Sequence, residues 1–300
     1  MKKKTLLRDA LPDKKVSSQK LFIPKLKKTL LTSMFFFGAI SAYAQNDLKN
    51  WNSLQLNLSL SKKTDLSIGH LRSYDVNNSF INDFNQSSLS IDHDFTKRFS
   101  MSGGTVIGGF SSTGGASRLT LRSTYKVPVA DLLNWSNAIQ GELHSSGETR
   151  YRSRIRYITR LTTKKRLDFI RLQPSVSYSL YYNIGGNPIN YYDQNAAFAI
   201  QQTPDGFHRG RLSLNLNSKL TKNLSVSLYG MMQREFNLFS DDYHKINVLN
   251  PVSGKTVRSF NNYNVIGTSA TFNFDLYKKK SKSKKNKNEN SDLQSHEKAN

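Results

Sequence analysis

The sequence predicts an all-β fold: an antiparallel transmembrane β-barrel of ten to twelve strands, with twelve favoured. Three observations carry this expectation. Apolar and polar residues alternate along almost the whole chain, as in Leu212, Leu214 and Leu216 against Arg211, Ser213, Asn215 and Asn217. Successive side chains of an extended strand point to opposite faces, so each such segment has one oily and one wet face. The alternating segments follow a stretch with the features of a secretory leader. Short turns also alternate with longer connections, the asymmetry of an outer-membrane barrel.

The leader comes first. Residues 1–28 are basic, and an apolar run follows from Leu30 to Ala44. The run ends in Ala42-Tyr43-Ala44, the small-x-small pattern of a signal-peptidase site. It is shorter than the roughly 20 apolar residues of a spanning helix. A signal peptide over 1–44, cleaved after Ala44, is therefore expected, with the barrel over 45–277. The chain has no cysteine, so a secreted body must be held by its core or its membrane.

The formal charge of +23 is unevenly spread. Residues 1–44 contain ten Lys and Arg against two acids, and residues 278–300 contain eight Lys against three acids. More than half of the excess thus lies outside the body, which together with secretion argues against a nucleic-acid partner. The Lys-rich segment 278–300 reads as a disordered periplasmic tail. A mean hydropathy of −0.57 suits a membrane barrel, because only every second strand residue meets lipid.

The strands follow in order. Trp51 to Leu60 places Leu54, Leu56, Leu58 and Leu60 on one face and Gln55, Asn57 and Ser59 on the other. A turn at Ser61–Thr64 leads to Leu66 and Ile68, where the beat slips near His70-Leu71-Arg72, as at a bulge. The third strand carries Leu89, Ile91 and Phe95, and the fourth, Phe99 to Phe110, is glycine-rich, as in a strongly bent wall. The fifth turns Leu119, Leu121, Tyr125 and Val127 outward and Arg118, Thr120, Arg122, Thr124 and Lys126 inward. The sixth, Trp135 to His144, has Gln140, Glu142 and His144 on its wet face. The seventh aligns Arg152, Arg154, Arg156 and Arg160 against Tyr151, Ile155 and Tyr157. The eighth runs from Phe169 to Tyr182, the ninth from His208 to Leu220, the tenth from Leu224 to Phe236, and the last from Tyr263 to Tyr277. A further strand needed for an even count is sought in 183–207 or near the N-terminus. A hairpin around Pro251–Gly254 fits within the long connection at 237–262.

Alternation alone does not separate a membrane barrel from a soluble sandwich or a lipocalin-like barrel, whose oily faces point inward. Strands of ten residues or more, aromatic strand ends and oily faces nearly free of charge favour the membrane. Closure also pairs the strand backbones, as a membrane demands. The long connections then lie outside the cell, and outer-membrane lipid is the first partner.

The wet faces carry the candidate chemistry. Arg118, Arg122, Arg152, Arg154, Arg156, Arg160, Arg209 and Arg211 form an expected basic cluster in the lumen, which Arg72 and Arg171 would join. Asp92, Asp94, Glu142 and Asp275 are its candidate acidic partners. Two readings stand: a cationic lumen for small anionic solutes, or an ion-pair network that braces a narrow barrel. A lipid-modifying hydrolase would need a serine beside a base, for which His144 with Ser145, Ser146 and Glu148, or His208 with Ser213, are the positions to inspect. A structural or adhesive barrel is the remaining alternative. Six scattered histidines without cysteine give no metal-ligand spacing, and no cofactor motif occurs. Tyr181, Tyr182, Tyr191 and Tyr192 suit either stacking on a ligand or anchoring at lipid headgroups.

Four stretches resemble a family of uncharacterised outer-membrane proteins common in Bacteroidetes-type bacteria, known only as a domain of unknown function. They are W-N-S-L-Q-L-N-L-S-L from Trp51, H-L-R-S-Y from His70, Y-R-S-R-I-R-Y from Tyr151 and H-R-G-R-L-S-L-N-L from His208. The resemblance spans roughly residues 48–277 and implies an outer-membrane barrel. It supplies no catalytic residues.

Overall fold

The strand periodicity of the sequence is realised as long, strongly paired strands. The computed structural model describes residues 47–110, 116–129, 131–146, 151–167, 169–193, 195–203, 205–235, 250–254 and 262–277. The expected signal peptide, its cleavage site and the Lys-rich tail lie outside these residues. So do Glu148 and the expected hairpin, apart from Pro251–Gly254.

The first eight strands are β1 (Asp47–Ser59), β2 (Thr64–Asp75), β3 (Ile81–Asp94), β4 (Phe99–Phe110), β5 (Ala116–Val129), β6 (Leu133–His144), β7 (Tyr151–Thr163) and β8 (Leu172–Gly186). Two short strands, β9 (Ile189–Tyr192) and β10 (Phe198–Gln202), pair only with each other. Then come β11 (Gly206–Lys219), β12 (Leu224–Glu235) and β13 (Tyr263–Asp275). All except β9 and β10 close a barrel in chain order, eleven strands in all. That lies within the expected ten to twelve, one fewer than the favoured count. The segment 183–207, one expected place for a twelfth strand, ends β8, holds the β9–β10 hairpin and begins β11.

An odd count has a topological consequence. Ten neighbouring pairs are antiparallel, so the first and last strands run the same way and must close in parallel. β1 and β13 do so without interruption from Asp47 opposite Tyr263 to Ser59 opposite Asp275. The barrel's two chain ends therefore lie at opposite rims. The rim where β13 ends carries 60–63, 95–98, 130–132 and 220–223, and the longer connection 164–171. The rim where β1 begins carries 76–80, 145–150, 187–205 and 236–262.

The faces sort as a membrane barrel sorts them, inverse to a soluble one. Leu119, Ile139 and Leu143 are each 61% exposed on the outside. Leu54, Leu89, Ile107, Leu121 and Phe274 also point outward and are exposed. Charged side chains such as Glu142, Arg154 and Arg209 are buried inside. The one apolar cluster described is also internal: Trp51, Met231, Tyr263 and Val265, with Leu71, Phe84 and Tyr229 packed against it.

Two bulges break the alternation near the long-connection rim. The β2–β3 register skips Asp83, so Asp83 and Phe84 both reach the interior, one to Lys49 and one to Trp51. The β8–β11 register skips His208, and the consecutive His208 and Arg209 are both buried. Each bulge places two successive side chains inside, where a regular strand places one.

Candidate functional site

The lumen has two unlike walls. Strands β5, β7 and β11 contribute Arg118, Arg122, Arg154, Arg156, Arg209 and Arg211, while β1, β2, β3, β12 and β13 contribute the Trp51 cluster. Cross-strand register explains the basic wall. Glu142 stands opposite Arg154, Gln140 opposite Arg156, and Tyr181 stands next to both Arg156 and Arg209.

Tyr181 is the centre of this wall. It is 1% exposed, and the guanidinium carbons of Arg154, Arg156 and Arg211 lie 5.0, 5.1 and 5.2 Å from its ring centroid. Each of the three cations is attracted to the π-system of this ring, although they repel one another. The acids that offset them are few. Arg154 Nε donates to Glu142 Oε2 at 3.0 Å, and Arg118 Nε lies 3.8 Å from the same oxygen. Arg209 pairs with Glu235. Arg211 instead donates to Gln233 Oε1 at 2.7 Å and to the Tyr263 hydroxyl at 3.1 Å. Arg122 lies in the field of Arg156 and Arg160, with Asp92 opposing. Buried polar atoms without a hydrogen-bond partner among the described residues include Arg118 Nε, Arg122 Nε, Arg156 Nε, the Tyr181 hydroxyl and Trp51 Nε1. Five unmet donors in one lumen leave capacity for an acceptor-rich guest.

Toward the short-turn rim the lining changes. Ser177 and Ser213 face each other inside, and Asn215 and Ser175 form the next inward pair. On β8 and β11 small polar side chains thus succeed the large ones, while the exposed Arg160 stands beside Ser177 and Tyr229 beside Asn215.

The expected cluster is largely assembled, with corrections. Arg152 is exposed at the rim beside Gly185 rather than inside. Arg72 is exposed on the outer wall, opposite Asn52 and Asn85, because it shares the outward parity of Ile68. Arg171 is exposed in a 3-10 turn, Phe169–Arg171. Asp94 and Asp275 are exposed at the short-turn rim, far along their strands from Glu142's partners. Tyr151, expected outside, is buried and accepts a hydrogen bond from Arg154 Nη1 at 2.7 Å. The acids that sequence reading missed are Glu235, Asp75 and Asp83. The last two hold Lys49 at 3.3 and 3.4 Å. A signal for Glu235 exists: counting outward equally from the turn at Thr221–Asn223 pairs 209 with 235.

The histidines singled out for a hydrolase have other described partners. His144 Nε2 lies 3.4 Å from Glu142, and His208 Nε2 lies 3.2 Å from Asn183 Nδ2. Ser145 Oγ accepts from the backbone of Ser117. A Ser–His contact does occur elsewhere, between His70 Nδ1 and Ser87 Oγ at 3.0 Å, with both residues exposed on the outer wall.

The family model described as "Protein of unknown function (DUF2490)" matches residues 48–244. The chain belongs to that family. Its members' description assigns no activity, so the family adds no residue roles to those read from the lumen. A solved structure described as "NanC porin structure in rhombohedral crystal form" is similar at 12% identity and a TM-score of 0.42, over 75% of this chain and 98% of that one. No curated protein matches the chain.

Proposed function

We infer that this DUF2490 chain is an outer-membrane barrel whose lumen admits small anionic solutes, as a narrow channel or a component of transport. The observation that most supports this is the sorting of its faces. A soluble protein does not leave Leu119, Ile139 and Leu143 bare while burying Arg154, Arg209 and Glu142. Lipid is the surrounding that makes this arrangement favourable. Inside, arginines outnumber the carboxylates near them, which favours anions over cations. The leader expected over 1–44 fits export to that membrane.

The test is reconstitution in planar bilayers under a KCl gradient. The expected result is a conductance whose reversal potential reports preference for chloride, reduced by Arg122→Gln and Arg156→Gln. An absence of conductance overturns the channel and leaves a barrel braced by its Arg–Glu pairs. Recovery of the secreted protein in soluble form without detergent overturns the membrane reading itself.

One observation favours a second reading, a lipid-modifying hydrolase. His70 and Ser87 pair on the outer wall, where a lipid ester would reach them. Phospholipid hydrolysis by the purified protein, abolished by Ser87→Ala, would establish it. Without such hydrolysis the chain is not an enzyme of this kind.

A further inference from the structure

The cationic wall and the aromatic wall meet in a cavity of about 250 Å³ near the long-connection rim. Trp51, Phe84 and Tyr263 line one side, and Arg118, Arg154 and Arg211 line the other. We propose that this cavity is a binding site for a small organic monoanion: a carboxylate head on an aromatic or branched apolar body. The proposal rests on the anion-admitting lumen inferred above and names the class of solute.

The charge count fixes the head. Lys49, Arg118, Arg154, Arg209 and Arg211 line the cavity, and Asp75, Asp83, Glu142 and Glu235 are their four paired carboxylates, leaving one net positive charge. One charge suits a monoanion, while a dianionic phosphate would bring an unmatched charge into a partly desolvated site. The surplus is localised at Arg211, whose described hydrogen bonds run to an amide and a phenol, not to an acid. Those two bonds hold the planar fork in place, and a carboxylate matches the remaining donors.

The opposite wall fixes the body. Trp51 meets Phe84 edge-on at 5.6 Å and Tyr263 at 6.1 Å, so three clustered rings stand on this side of the cavity, beside the polar Asn85 and Gln86. The Arg211 guanidinium carbon lies 5.8 Å from the Trp51 ring centroid, so the cationic and aromatic groups adjoin at this cavity. Two further donors, Trp51 Nε1 and Arg118 Nε, are buried and have no hydrogen-bond partner among the described residues. The volume lies just under the range of about 300–1,000 Å³ for drug-sized ligands, so the guest is small.

The chain supplies its own reporter. It has two tryptophans, and Trp135 is on the outer face, so Trp135→Phe leaves Trp51 as the sole indole fluorophore. Full-length mature protein in detergent micelles is titrated with benzoate, acetate and benzyl alcohol. Benzoate is expected to change Trp51 emission saturably, with at least tenfold tighter binding than either control. Arg211→Gln should weaken benzoate about tenfold or more. Heat-modifiable gel mobility checks its fold, and Tyr263→Phe, which removes one anchor of Arg211, serves if Arg211→Gln fails to fold. Acetate binding as tightly as benzoate overturns the apolar half of the proposal, and benzyl alcohol doing so overturns the anionic half. No saturable response overturns both. The bilayer reversal potential is read separately, so anion selectivity without benzoate binding sinks this site and spares the channel.

Discussion

Arg154 donates from Nε to Glu142 Oε2 at 3.0 Å across the β6–β7 pair, and both side chains are buried inside the barrel. Glu142 also lies 3.8 Å from Arg118, so one carboxylate serves two guanidinium groups. Removing it leaves two buried cations without their main counter-charge. Glu142→Gln should therefore destabilise the barrel by about 3–5 kcal/mol, the cost of breaking a buried pair from one side. Urea unfolding in lipid vesicles, followed by loss of the compact gel form, measures it. Adding Arg154→Met to that variant should restore much of the loss, because no buried charge then stands alone.

Gly267 faces Trp51 across the closing seam, and the Tyr229 ring occupies the space that a Cβ at this position would need. Gly267→Val should push that ring into the Trp51 cluster. Overpacking of this kind typically costs about 1–3 kcal/mol. The same vesicle assay checks it, and Tyr229→Ala in the Gly267→Val background should relieve part of the strain. A Gly267→Val protein as stable as the parent would contradict the packing of this wall.

Strand identity was legible in the sequence because a period of two is local. Leu212 to Leu216 and Arg118 to Arg122 fall on the faces that alternation assigns them. What was not legible depends on departures from that period. Asp83 and His208 enter the lumen through bulges, and a skipped residue leaves no mark in an alternation count. Tyr151, at a strand end, lies inside against Arg154, although it has the same parity as the outward Ile155. Arg152 has lumen parity but stands too near the rim to be covered. Pairing across strands was half legible: Glu142 was named from its face, whereas Glu235 needed the register set by its turn.

Leu121 and Ser177 distinguish the two faces experimentally. Leu121 is 59% exposed on the outer wall, while Ser177 stands inside opposite Arg160 and Ser213. Arginine facing lipid costs about 2–4 kcal/mol near the bilayer midplane. Leu121→Arg should lose stability on that scale in vesicles. Ser177→Asp, beside Arg160, should stay within about 0.5 kcal/mol, as surface substitutions usually do. Equal effects at the two sites would contradict the inside-out arrangement.

The parallel closure of β1 on β13 makes a prediction about sidedness. Asp47 and residues 250–254 belong to one rim, and Asn223 and Tyr277 to the other. The chain has no cysteine, so single cysteines report their own location cleanly. Asp47→Cys and Ser253→Cys should react with a membrane-impermeant maleimide on intact cells. Asn223→Cys and Tyr277→Cys should react only after the outer membrane is opened. With an even strand count both chain ends would lie on one side, and Asp47→Cys would label together with Tyr277→Cys. That outcome would overturn the eleven-stranded closure. Labelling of the Asn223 rim alone on intact cells would keep the closure and reverse its orientation, placing the aromatic cavity at the periplasmic mouth.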